Sequence, residues 1–134
     1  MTEKVFPADD ASLADAIAFV EGELEKADCS MRVMMQITVC VEEMFVNVAH
    51  YAYGGETGAV RLSVECDPDE FSLTITDSGI PFDPLAKPDP DITLTADERQ
   101  IGGLGIFMVK KSMDSVAYAR RDGRNVFTMT KKLR

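Results

Sequence analysis

Residues Gln36–Tyr53, QITVCVEEMFVNVAHYAY, decide how the rest of the chain is read. Their spacing predicts one long helix with two faces. At about 100° per residue, Met34, Ile37, Val41, Met44, Val48 and Ala52 fall together on a broad apolar face. Gln36, Cys40, Glu43, Asn47 and His50 fall on a narrower polar stripe. An ordinary amphipathic helix shows Lys, Glu and Arg to solvent. This one has almost no Lys or Arg, and Val39 and Val46 flank its stripe. Glu43 and Asn47 stand one turn apart and can converge on a single ligand. Glu42 projects about 100° away from the stripe and reads as a solvated carboxylate.

Working outward, Ser30 is placed to cap this helix and Gly54-Gly55 to end it. Upstream, Val5 and Phe6 suggest a short edge strand stopped by Pro7. Asp9 or Asp10 can cap a first helix whose Leu13, Ile17, Val20 and Leu24 recur at helical spacing to about Ala27. Downstream the period changes to two. Val60, Leu62, Val64 and Cys66 alternate with polar residues, and Phe71, Leu73 and Ile75 do so again after Asp67-Pro68-Asp69-Glu70. The pair reads as a hairpin ending at Asp77-Ser78-Gly79. Residues 80–100 hold four prolines and follow neither period, so a long loop is expected, with a helical turn near Thr95–Arg99. Gly102-Gly103-Leu104-Gly105 closes it, and a helix follows with Ile106, Val109 and Met113 inward. Strands Val116–Arg121 and Val126–Leu133 finish the chain, joined by Asp122-Gly123-Arg124-Asn125. Hairpins and clustered helices predict an α+β sandwich, a mixed or antiparallel sheet with helices on one face, in a single domain over 1–134.

The totals fit one globular domain: 134 residues, 46% hydrophobic and 28% charged. No run approaches the ~20 apolar residues of a membrane span, and MTEKVFPADD is unlike a signal peptide. Cys29, Cys40 and Cys66 are odd in number and widely spaced, so free thiols in a reducing, cytoplasmic setting are expected. Residues 1–98 carry 5 basic and 21 acidic side chains, and residues 99–134 carry 9 basic and 2 acidic. Such an acidic chain argues against a nucleic-acid partner. The basic C-terminal quarter could face a locally held anion, but Arg120, Arg121, Lys131 and Lys132 each read better as solvated strand residues.

Three short stretches carry chemistry. A Gly-rich turn into a helix, at Gly102, Gly103, Leu104 and Gly105, lets backbone approach a phosphate chain where free N–H groups point outward. It lacks the Lys-Ser/Thr of a Walker loop and the preceding strand of a dinucleotide fingerprint. Asp77 at a strand end can accept a hydrogen bond from an exocyclic amine, with Gly79 leaving room for a flat base; a plain turn is the alternative. Glu43 can take a proton from an attacking hydroxyl or water, and Asn47 can offer an amide oxygen to Mg²⁺.

Together the ExxxN helix ending in Ala52-Tyr53, the loop DSGIPFDP from Asp77, GGLGIFMVKKSMD from Gly102 and GRNVFTMTKKL from Gly123 resemble the Bergerat-fold ATP-binding superfamily. The nearer likeness is to the stand-alone bacterial anti-sigma factor serine kinases, and it spans most of residues 36–134. The resemblance implies an ATP·Mg²⁺ site: Glu43 as general base, Asn47 on magnesium, Asp77 and Gly79 at adenine, and Gly102, Gly103, Leu104 and Gly105 at the phosphates. Residues 80–101 would form an ATP lid. It also implies a homodimer that holds a sigma factor and phosphorylates a serine on an antagonist protein. A nucleotide-responsive module that sequesters its partner without catalysis is the alternative. One departure stands on the central helix: the family often has His four residues after the Asn, and here that residue is Tyr51, with His50 displaced by one.

Overall fold

The computed structural model describes residues 1–86 and 103–134. Its elements follow the predicted order: β1 (Thr2–Pro7), α1 (Leu13–Lys26), α2 (Met31–Asn47), β2 (Ala59–Cys66), β3 (Glu70–Asp77), α3 (Gly103–Ser112), β4 (Ser115–Arg121) and β5 (Arg124–Lys132). The five strands form one sheet in the order β1-β2-β3-β5-β4, and every neighbouring pair is antiparallel. The expected α+β sandwich is therefore present, with an antiparallel rather than a mixed sheet. The predicted lid beyond residue 86, the turn near Thr95–Arg99 and Gly102 lie outside the described residues.

Local chemistry sets the element ends. Asp9 accepts a hydrogen bond from the Ser12 backbone N–H at 2.9 Å, capping a 3-10 turn that leads into α1. The Ser30 hydroxyl accepts from Val33 N–H at 3.2 Å and starts α2. Asp67 Oδ1 accepts from both Asp69 N–H and Glu70 N–H at 2.8 Å, folding the β2–β3 hairpin. Asp122 and Gly123 both have positive φ, 52° and 76°, which makes a two-residue turn that matches strand twist. Arg124 and Asn125, expected in that turn, instead pair with Arg121 and Arg120 as the start of β5.

Alternation buries one face of the sheet. Val60, Leu62, Val64, Phe71, Leu73, Ile75, Phe127 and Met129 join Val20 and Leu24 of α1, Ile37, Val41 and Phe45 of α2, and Val109 of α3 in one core. Phe6 of edge strand β1 packs edge-on to Phe45, ring centres 6.5 Å apart, and tilts against Phe19 at 5.9 Å. Each such buried side chain contributes about 1.5–3 kcal/mol. Among the described residues, no helix is long and apolar enough to cross a membrane.

The central helix differs from its prediction in one respect. After Asn47 the backbone widens into a π-helical turn, Val48–Ala52. Such a turn repeats at i+5, so Ala52 rather than Tyr51 returns above Asn47. The 100° step therefore fails for the last turn. His50, expected on the stripe with Glu43, is exposed, and its Nε2 meets the more exposed Asp10 carboxylate at 2.8 Å. Cys40 is also off the solvent side of the stripe, since α3 covers it and leaves it 1% exposed.

Candidate nucleotide site

The remaining stripe residues open on a cleft between α2 and the sheet. Glu43 and Asn47 are half-buried, whereas Glu42 is exposed, which is the distinction drawn from the sequence. Asn47 lines the cleft with Met44, Val48, Ile75, Phe82 and Phe127, and Asp77 lies among these mainly apolar neighbours.

Asp77 is buried at the end of β3. Its Oδ1 accepts from Gly79 N–H at 2.9 Å and from Asn125 Nδ2 at 2.9 Å. Its Oδ2 has no hydrogen bond among the described residues. A carboxylate that lines an apolar cleft with both its described hydrogen bonds on one oxygen keeps acceptor capacity, suited to an amine on a flat ligand. Gly79 makes the site possible. A Cβ there would stand 2.2 Å from the Ala52 carbonyl oxygen, and Ile80 N–H donates to that same oxygen at 2.8 Å. The π turn and the strand end are thus pressed together backbone to backbone.

The second close approach joins α2 to α3. A Cβ on Gly105 would stand 2.2 Å from Glu43 Oε2. Gly103 opens α3, whose first N–H groups lack intrahelical partners. The structure therefore brings two pairs together: Asn47 with Asp77 in the cleft, and Glu43 with Gly105 at the start of α3. Leu104 lies in the first turn of the same helix. Among the described residues no three acidic, His or Cys side chains cluster as a metal cage. The single amide oxygen of Asn47 instead suits Mg²⁺, which keeps waters and takes its other ligands from phosphates.

Several residues that shape this site are not evident in the sequence. Asn125 faces Asp77 across the β3–β5 ladder. Its Nδ2 also donates to the Ile80 carbonyl at 2.7 Å, and its Oδ1 accepts from Tyr118 O–H at 2.5 Å and Phe82 N–H at 3.2 Å. Arg120, expected to be solvated, donates from Nη1 to the Gly79 carbonyl at 2.9 Å. Lys131, also expected to be solvated, donates to the Ser112 carbonyl at 2.7 Å. Both basic side chains satisfy backbone carbonyls at element ends. The Tyr53 hydroxyl accepts from Ser78 N–H at 2.9 Å and donates to the Ala59 carbonyl. Tyr51 stacks on Phe82, ring centres 6.5 Å apart, so its side chain holds the wall of the cleft.

The three cysteines are free thiols. Burial pushes the Cys40 thiol up, partly opposed by the Ser112 hydroxyl and Lys131. Burial also raises Cys66, helped by Cys29, Asp67 and Glu23 nearby. Neither thiol is poised as a nucleophile.

A family model described as the histidine kinase-like ATPase domain matches residues 6–131. The serine/threonine-protein kinase BtrW of Bordetella bronchiseptica is 31% identical over 117 residues, covering 87% of this chain and 82% of that protein. The serine-protein kinase RsbW of Listeria monocytogenes is 26% identical, over 84% of this chain and 74% of its own length. The anti-sigma F factor of Pasteuria penetrans is 28% identical, over 79% and 73%.

Proposed function

The chain belongs to the histidine-kinase-like ATPase family, and from that premise we propose that it is an anti-sigma regulator with ATP-dependent protein-serine/threonine kinase activity. The observation that carries this reading is Asp77, lining an apolar cleft with both its described hydrogen bonds on one oxygen, and Glu43 against the first turn of α3. Relatives named serine-protein kinase and anti-sigma F factor support the activity and a sigma-factor partner.

Each residue has a definable task. Asp77 Oδ2 accepts a hydrogen bond from the exocyclic amine of adenine, and Gly79 keeps the wall beside the base flat. Asn47 presents its amide oxygen to Mg²⁺. The N–H groups that open α3, at Gly103, Leu104 and Gly105, hold phosphate oxygens. Bound ATP·Mg²⁺ supplies an activated phosphoryl group with its charge partly neutralised. Glu43 takes the proton of the attacking serine hydroxyl, and the serine belongs to an antagonist protein. The added phosphate brings about −1.5 to −2 charge and weakens the antagonist's docking surface. A homodimer and a cytoplasmic setting belong to the same proposal.

Transfer of label from γ-labelled ATP to a serine of a small antagonist protein tests it. Wild type transfers label, and Glu43→Ala loses about 10²–10⁴ in rate while still binding ATP. Equal transfer by the variant removes Glu43 as the base. Tight ATP binding without transfer to any antagonist supports a sequestering module instead.

A further inference from the structure

We propose that the outer face of the sheet carries a site for a phosphate monoester at the end of β3, between Arg61 and Arg124. Thr76 and Ser78 follow the buried Ile75 and Asp77 in alternation, so they lie on the face turned away from the core. Arg61 of β2 stands directly across from Thr76. Arg124 of β5 comes just before Asn125, which faces Asp77 on the other side of β3. The two arginines and the two hydroxyls line one depression of about 330 Å³. Neither guanidinium makes an ion pair or side-chain hydrogen bond among the described residues. Arg120 and Arg134, by contrast, donate to backbone carbonyls. Arg121, opposite Arg124 in the β4–β5 ladder, adds a third unpaired charge to the same face. The acidic residue that lines the depression, Asp77, turns its carboxylate to the opposite face, where Gly79 N–H and Asn125 Nδ2 donate to it.

This arrangement runs against the rest of the chain, whose net charge is −9. Like charges held together without a counterion repel, and an anion between them relieves the repulsion. Strands β2 and β5 flank β3, so the backbones that carry Arg61 and Arg124 are two strand spacings apart, about 10 Å. One tetrahedral anion fits between two guanidinium forks at that span. A planar carboxylate is satisfied by a single fork. A phosphate monoester offers three terminal oxygens and carries close to two charges above a pH of about 6, so it engages both forks at once. The Thr76 and Ser78 hydroxyls supply two further donors at the floor. The depression lies across the sheet from the cleft that Asn47 lines, so the phosphates of a nucleotide held there do not reach it. Its ligand is a separate phosphoryl group, either free phosphate or a phosphorylated side chain.

Amide NMR of the full chain tests the proposal, with inorganic phosphate, an alanine-flanked phosphoserine peptide and acetate titrated at constant ionic strength of about 0.1 M. Both phosphate probes shift the amides of Arg61, Thr76, Ser78 and Arg124 saturably, and acetate binds at least about tenfold more weakly. Tighter binding of the peptide identifies a protein-borne group as the source, equal binding a free one, and either supports the site. Arg61→Gln and Arg124→Gln, each at an exposed position, weaken phosphate by about tenfold. Arg61→Lys keeps the charge without the fork and recovers only part of the affinity. Lys132→Gln, which removes an equal charge from the far end of β5, leaves phosphate binding unchanged. Shifts confined to Gly103, Leu104 and Gly105 overturn the proposal. So does an equal response to acetate, or undiminished phosphate binding in both Arg61→Gln and Arg124→Gln.

Discussion

Glu43 and Gly105 meet across the α2–α3 interface so closely that a Cβ on Gly105 would stand 2.2 Å from Glu43 Oε2. The atom in the way is the end of a flexible side chain, so the carboxylate can swing aside. Gly105→Ala should therefore cost less than about 1 kcal/mol of stability. It should still lower phosphoryl transfer by about 10²-fold, because the base no longer stands where the helix terminus opens. Urea unfolding and a transfer assay on the same preparation check both halves.

Gly79 makes the opposite case. Its added Cβ would meet backbone, the Ala52 carbonyl oxygen at 2.2 Å and carbon at 2.6 Å, and neither can rotate away. Gly79→Ala should separate Ile80 N–H from that carbonyl and cost about 1–3 kcal/mol. A lowered urea midpoint with unchanged slope is the expected result.

His50 is the single histidine of the chain and invites a catalytic role. Its imidazole instead meets Asp10 at 2.8 Å with both side chains largely exposed. Exposed pairs of this kind contribute little. His50→Ala should change stability by no more than about 0.5 kcal/mol and leave transfer at the wild-type rate.

Cys40 gives the fold an alkaline limit. Burial raises its folded-state pKa above the ordinary thiol value of 9.0. The unfolded thiol therefore loses its proton first as pH rises, and the unfolded state then binds fewer protons than the native one. Stability is full below pH 9 and falls above it. Cys40→Ala or Cys40→Ser should flatten that part of the stability curve. Denaturant unfolding at intervals from pH 8 to about 10.5 measures the slope.

Periodicity made most of the architecture legible. Ile106, Val109 and Met113 face inward as their spacing predicts, and the period-two runs of β2 and β3 bury Val60, Leu62, Phe71 and Leu73. The difference between Glu42 and Glu43 was also visible, since it needs only the helical step. Three features were not. The π turn changes the step itself, so His50 and Tyr51 land where a uniform helix would not put them. Asn125 stands two residues after Asp122-Gly123 and looks like turn. Its place in β5 depends on pairing with Asp77, 48 residues away. Arg120 and Lys131 look like solvated strand residues because the carbonyls they bind, on Gly79 and Ser112, come from distant elements. Local spacing carries no signal for partners that meet only in the folded chain.

The central claim is that Asp77 and Glu43 divide one site into nucleotide binding and phosphoryl transfer. The most direct measurement is the rise in unfolding free energy with ATP·Mg²⁺, relative to Mg²⁺ alone, for wild type, Glu43→Ala and Asp77→Asn. At 100 times the dissociation constant, wild type and Glu43→Ala should each gain about 2.7 kcal/mol, and Asp77→Asn should lose most of that gain. No nucleotide-dependent gain in wild type, or an undiminished gain in Asp77→Asn, would contradict it.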